Sequence, residues 1–289
     1  MIQGIFFFIG IGFVLCFLGY IVFFILGLVF HEFRELTDSY FLRMGWKFNG
    51  NLKRAYANWF VGRFNYYDRL PEHLKLKFLI RVRGFVRSKE FIGREELVVT
   101  EEMKVMIAAS AIQLTIGLKK YTLDHFEKII VYPEKFLSRI TGQFHIGEAN
   151  TKGLIVISWE DFKKGYAHRD DTYNVGLHEM AHALELEKRL GTNSDDFFST
   201  YFNTWQEYAN EEFSKMQEED HPSFLRSYAA TNEQEFFAVC IEHFFEAGDA
   251  FKQNLPQLYR HLCILLNQDP LQADLIVRDD FQLEKINTP

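Results

Sequence analysis

The sequence predicts an α+β fold that is mostly helical, with a small β-sheet and one transmembrane helix ahead of the folded domain. Three observations support this prediction. The first 30 residues contain no charged side chain. Several later segments space their apolar residues as an amphipathic helix does, and two short segments are rich in β-branched residues. Since no internal repeat or low-complexity segment interrupts the rest of the chain, we expect one domain there.

The uncharged N-terminal segment is predicted to be a retained membrane anchor. Residues 5–30 are long enough to cross a bilayer core of about 30 Å as a helix that rises about 1.5 Å per residue. A cleavable signal peptide would need a basic n-region and a small-residue cleavage site, and neither is visible. Basic residues follow the segment, at Arg34, Arg43 and Lys47, and none precedes it. The positive-inside rule then predicts a single-pass membrane protein with its catalytic domain in the cytoplasm.

After this anchor (1–30), we expect an aromatic and basic juxtamembrane segment (31–69), a folded domain (70–275) and a short tail (276–289). The predicted helices of the domain span residues 70–89, 101–118, 193–216, 232–247 and 255–266, and the predicted strands span residues 129–132 and 154–159. The sequence is turn-like over residues 147–152 and polar over residues 161–171, so no strand or helix is predicted in either range.

Composition limits the functions that are compatible with this chain. The formal net charge of −7 and the hydrophobic content of 48% fit a folded, mildly acidic protein. No basic block indicates direct binding of nucleic acid. Cys240 and Cys263, the cysteines outside the predicted anchor, are not spaced as a disulfide framework or a zinc ribbon, and we expect two buried free thiols.

A His-Glu-x-x-His sequence is the strongest chemical signal in the chain. His178 and His182 lie four residues apart in an apolar helical stretch, so both imidazoles lie on one helix face. This spacing is typical of two zinc ligands, with Glu179 beside them as general base for a metal-bound water. The alternative, a surface helix with two solvated histidines, is disfavoured by the apolar residues around them. The strand predicted just before this helix is of a kind whose edge can pair with an extended peptide.

A catalytic zinc site also needs a third protein ligand, which must come from elsewhere in the chain. The third histidine of the longer His-x-x-Gly-x-x-His pattern is absent. Glu235 is the best candidate, because it stands at the start of an apolar helix and a buried carboxylate there needs a partner. Glu233 and Glu242 remain alternatives as ligands. Glu242 and Glu185 are also candidates to accept a hydrogen bond from a histidine that binds the metal.

Several segments, in the same order along the chain, resemble the Mlc titration factor A family of zinc metallopeptidases. These segments are LVVTEEMKVMIAA (97–109), VYPEKF (131–136), LIVISWE (154–160), NVGLHEMAHAL (174–184), YAATNEQEFFAV (228–239) and LYRHLCILLNQDPL (258–271). Together the similarity covers roughly residues 60–275. It implies a zincin-like metallopeptidase domain of the gluzincin type, in which a glutamate completes the zinc site.

The resemblance also implies a role for each matching residue. His178, His182 and Glu235 match the family's zinc ligands, Glu179 matches its general base, and Tyr228 matches a tyrosine that hydrogen-bonds the oxyanion. Members are described as peptidases with aminopeptidase-like activity, and they are known for binding the transcriptional repressor Mlc. The predicted membrane anchor is not part of the family pattern.

These observations lead to alternative functions. The first is a membrane-anchored zinc peptidase that acts on a peptide or protein substrate and contacts the lipid bilayer through residues 5–30. The second is a zinc-containing protein that sequesters a transcriptional repressor or a membrane partner, and the third is a scaffold within a membrane complex. The intact Glu179 favours the first, because a purely structural zinc site needs no general base. Glu185 stands where the family has aspartate, which is a conservative difference.

Overall fold

A computed structural model of the chain describes residues 17–22, 50–167, 171–191, 196–218, 223–272 and 274–275. Residues 31–49 of the predicted juxtamembrane segment and the whole predicted tail lie outside these residues. The chain divides into two compact units, Met1–Ala55 and Tyr56–Pro289. The second unit contains every residue of the candidate site, and the predicted domain boundaries remain predictions.

The prediction of a single-pass membrane protein is wrong. In the part of the chain that the structure describes, no helix has the length and apolar character needed to cross a bilayer. Of the predicted span over residues 5–30, only residues 17–22 are described, and they are helical. The rest of the predicted span lies outside the described residues, and the prediction of a cytoplasmic catalytic domain, which depended on it, is withdrawn.

The described residues are mostly helical and contain short strands, which confirms the predicted α+β class. The longer helices are α1 (Gly50–Phe60), α2 (Asn65–Arg69), α3 (Glu72–Ser88), α4 (Glu101–Thr115), α5 (Trp159–Ala167), α6 (Val175–Leu190), α7 (Asp196–Met216), α8 (Glu233–Glu246), α9 (Gly248–Asn254) and α10 (Pro256–Leu266). The strands are β1 (Glu90–Gly93), β2 (Lys128–Tyr132), β3 (Phe136–Leu137), β4 (Phe144–His145), β5 (Gly147–Asn150), β6 (Leu154–Ser158), β7 (Gln268–Asp269) and β8 (Asp274–Leu275).

The main sheet has the strand order β1-β2-β6-β5. β1, β2 and β6 are parallel, whereas β5 runs antiparallel to β6 and pairs Gly147 with Ile157. The turn predicted over residues 147–152 is therefore wrong over its first four residues, which form the outer strand β5. Glycine, alanine and asparagine give little strand signal in a sequence, and pairing with the buried strand β6 overrides that weak local preference. β6 itself lies inside the sheet, so the edge that faces outward belongs to β5.

Three helices build the centre of the domain. α4 is buried on nearly all sides and packs against α6, while α8 packs along α6 on another side. α6 begins where the Asn174 side chain accepts a hydrogen bond from the backbone N–H of Leu177, and it ends at Gly191, whose φ of 65° favours glycine. α5 forms within the segment predicted to be a polar connection, and it buries Phe162. β5 lies along α6, so the outer strand and the His-Glu-x-x-His helix meet.

Candidate metal centre and its cleft

The helices α6 and α8 bring the three predicted metal ligands together. His178 and His182 lie one turn apart on α6, and Glu235 lies in the first turn of α8. His178 Nε2 is 3.0 Å from Glu235 Oε2, and His182 Nε2 is 3.5 Å from Glu235 Oε1. One possible ligand atom from each residue lies within 4.8 Å of the other two. Of the three glutamates considered as third ligand, Glu235 is the one that faces both histidines.

The donor set fits a divalent cation such as zinc. The Nε2 atoms of His178 and His182 face each other at 3.0 Å. The Nδ1 atom of His178 donates to Glu242 Oε1 at 2.5 Å, so Nε2 is the nitrogen that a metal ion would bind in place of a proton. Glu235 Oε2 is buried and accepts no well-aligned hydrogen bond, although His178 Nε2 lies close to it. Two imidazole nitrogens and a carboxylate oxygen that converge in this way are common zinc ligands.

The electrostatics of the cluster favour a positive charge at this point. Burial would lower the pKa of His178, but the carboxylates of Glu235 and Glu242 beside it outweigh burial and raise the pKa to about 10. Burial would raise the pKa of Glu235, but His178 and His182 hold it well below its ordinary range. The carboxylates therefore stabilise a positive charge between these side chains. Either a proton or a bound divalent cation can supply that charge.

Glu242 is held in place behind His178 by a two-pronged contact with Arg226. Arg226 Nη2 donates to Glu242 Oε1 at 2.6 Å, and Nη1 donates to Oε2 at 2.9 Å. The backbone N–H of Asn174 also donates to Glu242 Oε2, at 2.9 Å. The guanidinium of Arg226 in turn lies 4.9 Å from the centre of the Tyr173 ring. Because both carboxylate oxygens are engaged, Glu242 fixes the orientation of the His178 ring.

Sequence reasoning singled out Glu242 but missed Arg226 and Asn174. Asn174 does have a local signal, since an asparagine directly before an apolar helical run is a typical N-cap. Arg226 lies outside every short motif, and only the three-dimensional contact with Glu242 reveals its position.

Glu179 lies beside the ligand cluster in a buried position. Only 4% of its surface is exposed, and its Oε2 atom has no hydrogen-bond partner among the described residues. A Cβ atom at Gly147 on β5 would lie 2.3 Å from Glu179 Oε1, so glycine is what allows the strand to approach this carboxylate. Burial raises the pKa of Glu179, while His178 and His182 oppose the rise. A carboxylate with a raised pKa is a stronger base.

Tyr228 lies at the opening of the site. It belongs to a short 3₁₀ helix, Ser227–Thr231, that leads into α8, and its ring centre lies 6.1 Å from that of His178. Half of the side chain is exposed. Partial burial and then the carboxylate of Glu235 raise its pKa to about 12, so the phenol keeps its proton and remains a hydrogen-bond donor.

The two remaining glutamates considered from the sequence do not join the cluster. Glu185 is buried one turn after His182, but no hydrogen bond between described residues links the two side chains. Burial raises the pKa of Glu185. Glu233 accepts a hydrogen bond from Gln206 Nε2 at 3.1 Å on the exposed side of α8.

His178 of the cluster and the neighbouring Glu179 line an open cleft of about 500 Å³, and we call this part of the lining the floor. Tyr173, Arg226 and Tyr228 also line the cleft, as does the chain from Gln143 to Gly147, which we call the hairpin wall. The cleft is large enough to take a segment of polypeptide over the ligand cluster.

A histidine–glutamate cluster beneath an open cleft, with a buried glutamate next to it, is the arrangement of a metallopeptidase-like protein. The model of one such family, the glucose-regulated metallopeptidases M90, matches residues 46–265. The match covers most of the chain, which therefore belongs to this family. The resemblance predicted from the sequence is confirmed by this match and by relatives that carry the name Mlc titration factor A.

Three relatives illustrate the extent of the similarity. An uncharacterized protein of Synechocystis is 29% identical over 69% of this chain and 78% of its own length. The Mlc titration factor A of Edwardsiella ictaluri is 26% identical over 68% of this chain and 81% of its own. The Mlc titration factor A of Pectobacterium atrosepticum is 27% identical over 69% of this chain and 80% of its own.

Proposed function

We propose that this protein is a zinc-dependent peptidase that hydrolyses peptide bonds in the cleft above α6. His178, His182 and Glu235 would hold one zinc ion, which when bound supplies a Lewis acid and brings the pKa of its water towards about 7. The observation that carries the proposal is the buried carboxylate of Glu179 next to this ligand set, whose Oε2 atom has no hydrogen-bond partner among the described residues. Family membership supports it independently. The packing of α6, α8 and a sheet with an antiparallel outer strand supports a zincin-like fold.

Each further residue has a defined task in this proposal. Glu179 takes the proton from the attacking water and passes it to the departing amine. The phenol of Tyr228 donates a hydrogen bond to the oxyanion that develops on the scissile carbonyl. The outer strand β5 pairs with the extended substrate and holds its backbone over the floor of the cleft. Glu242 and Arg226 keep the ring of His178 in the orientation that ligation needs.

A second function is favoured by the name of the relatives. Several are called Mlc titration factor A, and that name indicates interaction with the repressor Mlc. The alternative is therefore that this chain sequesters a transcriptional repressor by protein–protein contact, without physiologically important catalysis. With a net charge of −7, direct binding of nucleic acid is not part of either proposal.

The experiment compares peptide cleavage by the full zinc-loaded chain with cleavage by its Glu179→Gln variant. Glu179 is not a proposed ligand, so we expect the variant to keep its zinc while the rate falls by roughly 10²–10⁴-fold. Glu187→Gln is the matched control, because Glu187 is a buried glutamate of the same helix that accepts its hydrogen bond from the backbone of His125, outside the cleft. This control should retain the parental rate.

Three outcomes are informative. Loss of cleavage in Glu179→Gln alone supports the peptidase. Equal cleavage rates in Glu179→Gln and Glu187→Gln contradict the assignment of Glu179 as the general base. No cleavage by the zinc-loaded parent, over a broad peptide library, contradicts the peptidase and moves the weight to repressor binding. Including free and N-acetylated forms of every peptide tests the narrower proposal of aminopeptidase activity, which requires a free amino terminus.

A further inference from the structure

One wall of the cleft carries an exposed apolar surface on the β3–β4 hairpin. Leu137 and Phe144 are directly paired across the two strands, and Ile140 lies in the turn between them. Their exposed fractions are 56%, 67% and 56% respectively. On the other strand face, Phe136 is buried and stacks on Tyr132, so the hairpin is anchored to the domain. We call the exposed side chains Leu137, Ile140 and Phe144 the hairpin surface.

The hairpin surface is continuous with the candidate active site. Phe144 lines the same cleft as His178 and Glu179. Gly147, three residues after Phe144, lies against the Glu179 carboxylate. At about 3.3 Å per extended residue, Phe144 lies within about 10 Å of that point along the chain. A substrate that runs beside this segment covers the same distance with about three of its own residues.

We propose that the hairpin surface is a specificity subsite that takes a large aliphatic or aromatic side chain about three residues from the scissile bond. This inference rests on the proposed peptidase function and names its substrate class. The occupant is the substrate itself, since Phe144 lines the cleft in which hydrolysis is proposed and Leu137 is its cross-strand neighbour. Large exposed apolar side chains that cluster beside a cleft are typical of a binding surface.

The charged side chains near the cleft are compatible with selection of an apolar substrate side chain. Arg226, which also lines the cleft, donates through both terminal nitrogens to Glu242, so those two nitrogens are already engaged. Lys135 Nζ lies 5.6 Å from the centre of the Phe144 ring and covers part of it. The remaining ring surface, with Leu137 beside it, offers hydrophobic contact.

The test begins with cleavage profiles of a positional library of decapeptides, in which each position in turn carries Leu or Ser in a polar background. The full zinc-loaded chain should prefer Leu by about tenfold at one position, two to four residues from the cut bond. Phe144→Ser and Leu137→Ser should flatten that preference and leave the other positions unchanged. Val98→Ser is the matched control, because Val98 is 80% exposed and lies outside the cleft. It should retain the parental profile.

A binding measurement separates this inference from the peptidase proposal. The same decapeptides are arrayed and probed with the Glu179→Gln chain, with and without the additional Phe144→Ser change. A preference for Leu that disappears with Phe144→Ser supports the subsite, even if the parent proves unable to cleave. An unchanged preference overturns the subsite while leaving the peptidase intact. If the chain binds and cleaves none of the peptides, the subsite is overturned together with the peptidase proposal.

Discussion

The floor of the cleft and its hairpin wall are built in opposite ways. On the floor, polar side chains from α6, α8 and the start of the 3₁₀ helix hold one another, as Arg226 holds Glu242 and Glu242 holds His178. On the wall, Leu137 and Phe144 are large, apolar and exposed, and their positions depend on backbone pairing between two short strands. The floor therefore has the fixed geometry that the proposed chemistry needs, whereas the wall offers the exposed apolar surface of the proposed subsite.

The largest effect within this comparison should come from Tyr228, the polar group at the opening of the site. Tyr228→Phe removes the proposed oxyanion donor and keeps the ring, so we expect kcat to fall by roughly 10²–10³-fold with little change in zinc affinity. Steady-state kinetics with a zinc-saturated sample measures this. The nearby Tyr173→Phe variant is the control, and an equal loss of kcat in both variants would mean that the donor role is misassigned.

The next largest effect should be on zinc affinity, and it should come from Arg226, which holds Glu242 next to His178. Arg226→Gln removes the two-pronged contact, frees the Glu242 carboxylate and loosens His178, so zinc affinity should weaken by about 10–100-fold in competition with a chelator. Excess zinc should restore much of the activity. The control is Arg63→Gln, which breaks an exposed ion pair with Glu102 and should change the free energy of unfolding by less than about 1 kcal/mol. Unchanged zinc affinity in Arg226→Gln would mean that the contact between Arg226 and Glu242 does not control the orientation of His178.

The smallest expected effect is on the pH dependence of stability, and it comes from the buried carboxyl group of Glu246. Glu246 accepts a hydrogen bond from Asn174 Nδ2 at 2.8 Å, and burial raises its pKa to about 8. Between its unfolded pKa, near 4.5, and about 8, the folded state keeps a proton that the unfolded state has lost. The free energy of unfolding should therefore fall as the pH rises through this window, by at most about 1.4 kcal/mol per pH unit.

Glu246→Gln should flatten this pH dependence, measured by urea unfolding between pH 5 and 8. Glu187 provides a comparison, because burial raises its pKa to about 7 on the side of α6 away from the cleft. Glu187→Gln should flatten only the lower part of the window. An unchanged slope from pH 7 to 8 in Glu246→Gln would contradict the assignment.

The sequence was most informative where chemistry and periodicity coincide. The spacing of His178 and His182 and the apolar faces of α6 and α8 are local features, so both helices could be predicted, and the family resemblance identified Glu235. β5 could not be predicted, since Gly-Glu-Ala-Asn forms a strand only because β6 lies beside it. The contact of Arg226 with Glu242 joins residues on separate elements, and no periodicity encodes it.

The predicted anchor had a different weakness. Hydropathy alone suggested that residues 5–30 form a span, and no helix among the described residues meets the requirements of one. The hairpin surface was also invisible from the sequence, because Leu137 and Phe144 become neighbours only through strand pairing.

The proposed function depends above all on a metal centre formed by His178, His182 and Glu235. It is tested by the zinc content of the purified full chain, combined with X-ray absorption at the zinc edge, for the parent and for His182→Ala. We expect one zinc ion per parent chain, with nitrogen and oxygen ligands at about 2.0–2.2 Å, and loss of that ion in the variant. A parent chain that binds no zinc, or a variant that binds it equally well, would contradict the proposed metal centre.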